Sequence, residues 1–311
     1  MLPAIAFALV IQGSTMSLDE LEKSFTNASK ADAYNYSALL EINRTVFGMI
    51  DANTLQSPKE FLRACNLVSD FRMKYETSRV RHELCLVALA GGEAGARKEI
   101  KKTWDYLLMS TGRAQRIGTV PSQDEKKAET IRAPKSIWNV ISDPDKASLL
   151  AAKSKSDTEI TKLCADDQAD REKDWSKLSM KEVEGIAARD EARLGRVKKL
   201  LEAGRVVTAE DFDHASLVLQ HGATWNDYSL AHELSICSLL LGNMKAAWLT
   251  AASYDRMLGS AGYRQRFGTQ YGSIGGLPFT FDPYDTSAIN DAERKIMRCP
   301  TLEKAMNRKW N

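Results

Sequence analysis

Histidine is scarce in this 311-residue chain, and three of its four copies, His214, His221 and His232, fall within 19 residues. Asp211 and Asp213 lie beside them. A histidine can act near neutral pH as a base, as a metal ligand or, when buried, as a hydrogen-bonded packing group. Spacing narrows the choice. On one helix His214 and His221 sit two turns apart, about 10 Å, too far for both to hold one metal ion. No HExxH or comparable pattern occurs, so neither a metal nor another cofactor is expected. His232, in the first turns of its helix and followed by Glu233, reads as a packing residue. That leaves His221, preceded by Gln220, as a candidate general base. Further along stand Asp255-Arg256 and the stretch QRFGTQ at 265–270. Arg256 offers a planar fork for a carboxylate or phosphate. Gln220, Gln265, Thr269 and Gln270 can read amides or hydroxyls. Asp255 is placed to orient His221 in an enzyme, or to pair with Arg266. Neighbouring helical side chains diverge by about 100°, so Asp255 and Arg256 cannot both aim at one point unless the helix end frays. There is no GxSxG, P-loop or GxGxxG, and the GSIGG at 272–276 is an isolated glycine-rich loop.

These residues stand out because the chain carries a control for them. Shifted by 150 positions, residues 82–119 align without a gap on 232–269, with 14 of 38 positions identical. Chance at average composition gives about two or three. The match continues weakly upstream, so each unit covers about 80 residues, near 40–120 and 190–270. Both units keep His82/His232, Glu83/Glu233, Asp105/Asp255, Gln115/Gln265, Arg116/Arg266 and Thr119/Thr269, together with Gly112/Gly262 and Gly118/Gly268. Shared features of this kind are what a fold demands: turn geometry from the glycines and backbone satisfaction from Gln-Arg-x-Gly-Thr. Three polar features occur only in the second unit: Gln220-His221 against Asp70-Phe71, Arg256 against Tyr106, and Gln270 against Val120. Their joint replacement points to one site that the first unit has filled with bulk.

The elements that must position this site are helices. Ala, Leu, Glu, Lys, Arg and Met dominate the composition, with only 8 prolines. In the second unit the apolar spacing predicts Lys181–Ala203, Ala209–His221, Trp225–Leu241 and Met244–Gly259 as helices. Gly204, Gly222, Gly242 and Gly262 stop them, and Thr208/Asp211 and Thr224/Asp227 supply capping boxes. Small residues such as Ala246, Ala247, Ala251 and Ala252 allow close helix approach, as in antiparallel hairpins. The expected fold is therefore all-α, two degenerate helical units of hairpin or α-solenoid character, with an irregular loop or short strand pair after 272 and short helices at Ser287–Met297 and Thr301–Arg308. Residues 17–120 form the degenerate N-terminal unit and 181–311 the intact unit with the site. Residues 121–180 read as a charged connecting segment with a solvated helical face.

The second unit resembles a widespread bacterial domain family of unknown function. That family carries a Gln-His element, an Asp-Arg dipeptide, a Q-x-x-G-T-Q ending, and a tail with Asp-Pro and a late arginine. The matching residues are Gln220-His221-Gly222, Asp255-Arg256, Gln265 to Gln270, Asp282-Pro283 and Arg294. Many members have Ala-Asp where this chain has Gly222, and the first unit lacks the Gln-His, Asp-Arg and final Gln features. The resemblance implies a bacterial, mainly helical protein and assigns no chemistry.

With 43 basic and 41 acidic residues, a net charge of +2 argues against nucleic acid or an anionic membrane as partner. The five cysteines fit neither a zinc site nor a disulfide framework. Leu2 to Ile11 is an apolar run too short to span a membrane. It has the length of a signal-peptide core, the first reading, with a mis-called start before Met16 and then a buried segment as the alternatives. Export to the periplasm or medium follows from the first, a cytoplasmic protein from the second. Two functions are compatible with the candidate residues. One is a module that binds a small polar or peptide ligand. The other is a hydrolase or transferase with His221 as base and Arg256 as anion clamp.

Overall fold

The computed structural model describes residues 16–30, 35–70, 74–120, 131–272, 280–285, 287 and 289–308. The apolar run before Met16, the GSIGG loop beyond Gly272 and Phe71 lie outside these residues. The chain is mainly all-α. The first part contains α1 Leu18–Ala28, α2 Tyr36–Asp51, α3 Pro58–Leu67, α4 Tyr75–Ala90 and α5 Ala96–Ser110. Two short helices follow, α6 Lys135–Ser142 and α7 Pro144–Ala151. Then come α8 Thr158–Arg171, α9 Met180–Glu202, α10 Ala209–Leu219, α11 Trp225–Leu240 and α12 Ala247–Ser260. Two-residue strands β1 (Tyr271–Gly272) and β2 (Thr280–Phe281) pair antiparallel, and α13 Asp291–Ile296 and α14 Leu302–Met306 close the chain. No helix among the described residues is long and apolar enough to cross a membrane.

Local sequence sets most of these boundaries. The boxes at Thr208/Asp211 and Thr224/Asp227 form, each hydroxyl accepting from the third residue's amide while that residue's carboxylate takes the cap amide. Ser57/Glu60 and Ser179/Glu182 do the same for α3 and α9. Helix α4 matches α11 residue for residue at a shift of 150, and α5 ends 150 residues before α12. Helices α10, α11 and α12 form successive antiparallel hairpins, as do α3, α4 and α5. Both α4 and α11 are buried around most of their circumference. They therefore lack the one-sided apolar stripe of a surface helix.

The segment between the two halves departs from the sequence expectation. Helix α8 packs against α9 and α10 and is no solvated connector. Its inward face is Ile160, Cys164, Asp167 and Asp170. Two of those four residues are carboxylates, so the face reads as polar in sequence. They are buried because arginines of α9 neutralise them: Arg189 and Arg193 bind Asp170, and Arg193 approaches Asp167. Helix α6 packs on α9 and α11, and α13 packs on α4.

Candidate functional site

The stretch GYRQRFGTQ ends α12 in a turn whose donors converge on one carboxylate. The amides of Arg266, Phe267 and Thr269, and the Thr269 hydroxyl, all donate to Asp255 at 2.7–3.0 Å. Asp255 is 1% exposed. Burial pushes its carboxyl up, against the pull of these donors. Asp105 binds Arg116, Ile117 and Thr119 in the same way. Gln265 closes the turn from the other side, its Oε1 accepting from the Gln270 amide at 2.8 Å and its Nε2 donating to the carbonyls of Gln270 and Asp282. Gly268 has φ +67°, and a Cβ there would meet Arg294 Nη1 at 2.7 Å and the Phe281 ring at 2.9 Å. Glycine is thus required twice over.

Three of the sequence candidates therefore belong to the turn. Asp255 neither orients His221 nor pairs with the Arg266 side chain, because its oxygens are taken by loop amides. Gln265 and Thr269 spend their polar groups inside the turn and present none to a ligand. Gln270 differs from Val120 only at its side chain, which ties the turn to α12 by donating to the Ala252 carbonyl at 3.2 Å and to Thr269 Oγ1 at 2.8 Å.

The Arg266 side chain runs away from the turn and across the molecule. It forms a two-pronged ion pair with Glu83 of α4, at 2.8 and 3.0 Å, where both side chains are 1% exposed. Arg116 makes the same pair with Glu233 of α11, at 2.8 and 3.2 Å. Tyr254 donates to Glu83 and Trp104 to Glu233. His82 and His232 meet between these pairs. Each contact recurs with its partners exchanged at a shift of 150 residues, the pattern of an isologous interface. The shared Glu, Arg and His are accounted for by this contact.

What remains is the set unique to the second half. His221, just beyond α10, has Nδ1 2.9 Å from Asp167 of α8, a residue with no exposed surface. Asp167 also accepts from Gln168, and Arg171 approaches it at 3.5 Å. Arg171 is held mainly by Asp190, at 2.6 Å. Arg256, on α12, lies beside Tyr228 of α11, with Arg171 and Asp282 near enough to act on its charge. Burial is the largest influence and pulls the guanidinium below its ordinary value; Tyr228 opposes it, Arg171 adds to it and Asp282 opposes it. Asp282 is pushed up by burial against the pull of Arg256. Arg256 makes no ion pair among the described residues, and its Nε is shut off from solvent without a hydrogen-bond partner. The Gln220 side-chain oxygen is likewise buried and has no hydrogen-bond partner among the described residues. An arginine this enclosed normally has a carboxylate. Here its charged neighbours are Arg171, itself paired with Asp190, and Asp282.

The α11–α12 hairpin explains the assembly. Its helices run antiparallel, so Arg256 near the end of α12 lies alongside Tyr228 near the start of α11. The α10–α11 loop carrying His221 sits at that same end. Sequence reasoning missed Asp167, Arg171 and Tyr228. A signal for the first two existed: Ile160, Cys164, Asp167 and Arg171 recur at spacings of four, three and four, one continuous helix face that turns from apolar to charged. At the equivalent places of the first half, Tyr106 lies under Arg81, and Asp70 is bound by Ser78 and Thr77. Compared with known proteins, the chain matches no family model, no curated protein and no solved structure.

Proposed function

We propose that this is an internally duplicated helical protein of bacterial type whose second half binds a small polar ligand, or a peptide, through an anionic group. One observation carries the reading: Arg256 is largely buried, makes no ion pair among the described residues and has a second arginine near it. Its counterpart Tyr106 brings no charge, and the resemblance of residues 190–305 to a bacterial domain family falls on the same Gln-His and Asp-Arg positions. In this reading Arg256 and Arg171 take the anion, Tyr228 and Gln220 supply hydrogen bonds, and His221 lies at the rim. If residues 1–16 are a signal peptide the protein works outside the cytoplasm, and otherwise within it. Calorimetric titration with inorganic phosphate and with acetate tests the proposal. Wild type should bind one of them saturably and Arg256→Met should not. Equal binding by the variant, or none by wild type at millimolar concentration, overturns it.

The Asp167–His221 pair supports a second reading, a hydrolase or transferase. A carboxylate that fixes Nδ1 leaves Nε2 free to accept a proton from a nucleophile, with the arginines holding a substrate anion. Under this reading His221→Ala abolishes turnover and leaves the melting temperature nearly unchanged; a collapse in stability would return His221 to a structural role.

A further inference from the structure

The two faces of the reciprocal interface are not equally filled, and the difference is a cavity. On one face Arg79 of α4 is 6% exposed and lies 3.7 Å from both Glu83 and Asp285. Beside it Tyr75 stacks on Tyr263 with centroids 4.3 Å apart. The counterparts on the other face, 150 residues away, are Ser229 for Arg79, Trp225 for Tyr75 and Arg113 for Tyr263. Replacing a guanidinium by a hydroxyl leaves space. A cavity of about 610 Å3 opens there, with Ser229, Trp225 and Arg113 in its wall. That is ample for a small organic molecule, since pockets of roughly 300–1,000 Å3 hold such ligands.

The wall specifies the ligand's chemistry. Its apolar part is Leu108, Ile131, Pro134, Leu230 and the Trp225 ring. Among the described residues its charged lining is Arg113, Arg116 and Lys198, with no acidic residue. Two of these cations are already matched, Arg116 by Glu233 at 2.8 Å and Lys198 by Asp227 at 2.6 Å. Arg113 has no carboxylate among the described residues. Its guanidinium rests 4.0 Å from the Trp225 ring centroid and, among the described residues, donates only to the Thr111 carbonyl at 3.3 Å. It is therefore held in place by the indole face while its other donors remain available. An unmatched, positioned arginine at the mouth of an apolar cavity suits a molecule with an apolar or aromatic body and one acidic group.

We propose that the cavity between α5 and α11 is a binding site for an amphipathic organic anion of the aryl-carboxylate class, separate from the Arg256 cluster and independent of it. The experiment is calorimetric titration of the full chain with three probes of similar shape: indole-3-propionate, its neutral amide, and tryptamine. Wild type should bind indole-3-propionate saturably at one site, the amide at least tenfold more weakly, and tryptamine not detectably. Ser229→Arg refills the space as Arg79 does on the opposite face and should weaken indole-3-propionate at least tenfold. Arg113→Gln, at a partly exposed position that does not threaten folding, should leave the amide unchanged and bring the acid down to it. Arg256→Met should change none of these values. The proposal is overturned if no probe saturates at millimolar concentration, if the amine binds as well as the acid, or if Arg113→Gln keeps the preference for the acid.

Discussion

Nε2 of His82 lies 3.2 Å from Nε2 of His232, although the two residues stand 150 positions apart in the chain. Neither ring has exposed surface. The hydrogen-bond network assigns the protons. His232 Nδ1 faces the Thr250 carbonyl at 3.1 Å and must donate to it, because a carbonyl only accepts. His232 Nε2 then carries a lone pair, so His82 donates from its own Nε2. The His82 Nδ1 in turn faces the Thr103 hydroxyl at 3.1 Å. Atoms that are related by exchange of the halves thus carry a proton chain that runs one way only.

Both rings are held neutral. Burial pulls His232 down to about 3, and burial with the neighbouring His232 pulls His82 well below its ordinary value. The unfolded chain takes up protons near pH 6.5 and the folded one does not. Stability is therefore complete above about pH 6.5 and falls as pH drops toward 3, by about 1.4 kcal/mol per pH unit for each histidine that titrates only when unfolded. Urea unfolding between pH 7 and 4 should show this slope, and His232→Gln should flatten it while lowering stability at pH 7.

The two crossing ion pairs differ in burial, which predicts unequal costs. Arg266 is 1% exposed and Arg116 is 21% exposed at the side chain. Arg266→Ala leaves buried Glu83 with only Arg79, 3.7 Å away, and the Tyr254 hydroxyl beside it, and should cost about 3 kcal/mol. Arg116→Ala lets water reach Glu233 and should cost less, about 2 kcal/mol. The paired change Arg266→Met with Glu83→Leu should recover most of the loss, measured by equilibrium unfolding.

Asp255→Ala removes the acceptor for three loop amides and the Thr269 hydroxyl. A loss of about 3 kcal/mol or more is expected, with Asp105→Ala similar in size. If Asp255→Ala instead left the melting temperature unchanged and removed only ligand binding, its assignment to the turn would be wrong.

Arg256 is expected to behave in the opposite way. It is largely buried and makes no ion pair among the described residues, so Arg256→Met should leave stability unchanged or raise it by about 1 kcal/mol. An anion that binds there stabilises wild type by mass action. Raising phosphate at constant ionic strength should lift the wild-type melting temperature and leave that of Arg256→Met where it is.

Much of the fold was legible in sequence because it rests on local chemistry. Capping hydroxyls and carboxylates three residues apart, and left-handed glycines at helix ends, act within one turn of chain. They placed α9 to α12 to within a few residues. The 150-residue correspondence likewise separated the turn-forming Gln-Arg-x-Gly-Thr from the residues unique to the second half. Pairing was not legible. Arg266 and Arg116 look like parts of the turn in which they stand, and only the packing of α4 against α11 shows that their side chains serve the opposite half. Asp255 and His221 look like a catalytic couple in sequence, yet the loop amides reach Asp255 first, and Asp167 arrives from a helix that read as a solvated connector. The physical reason is the same in each case. A buried charge is tolerated only where an opposite charge or a set of donors meets it, and which group does so is decided by helix packing over distances that no local pattern records. By itself the sequence determined the helices, their ends and the residues that set the two halves apart. The tertiary structure alone decided which charges are matched, and which, such as those of Arg256 and Arg113, meet no carboxylate among the described residues.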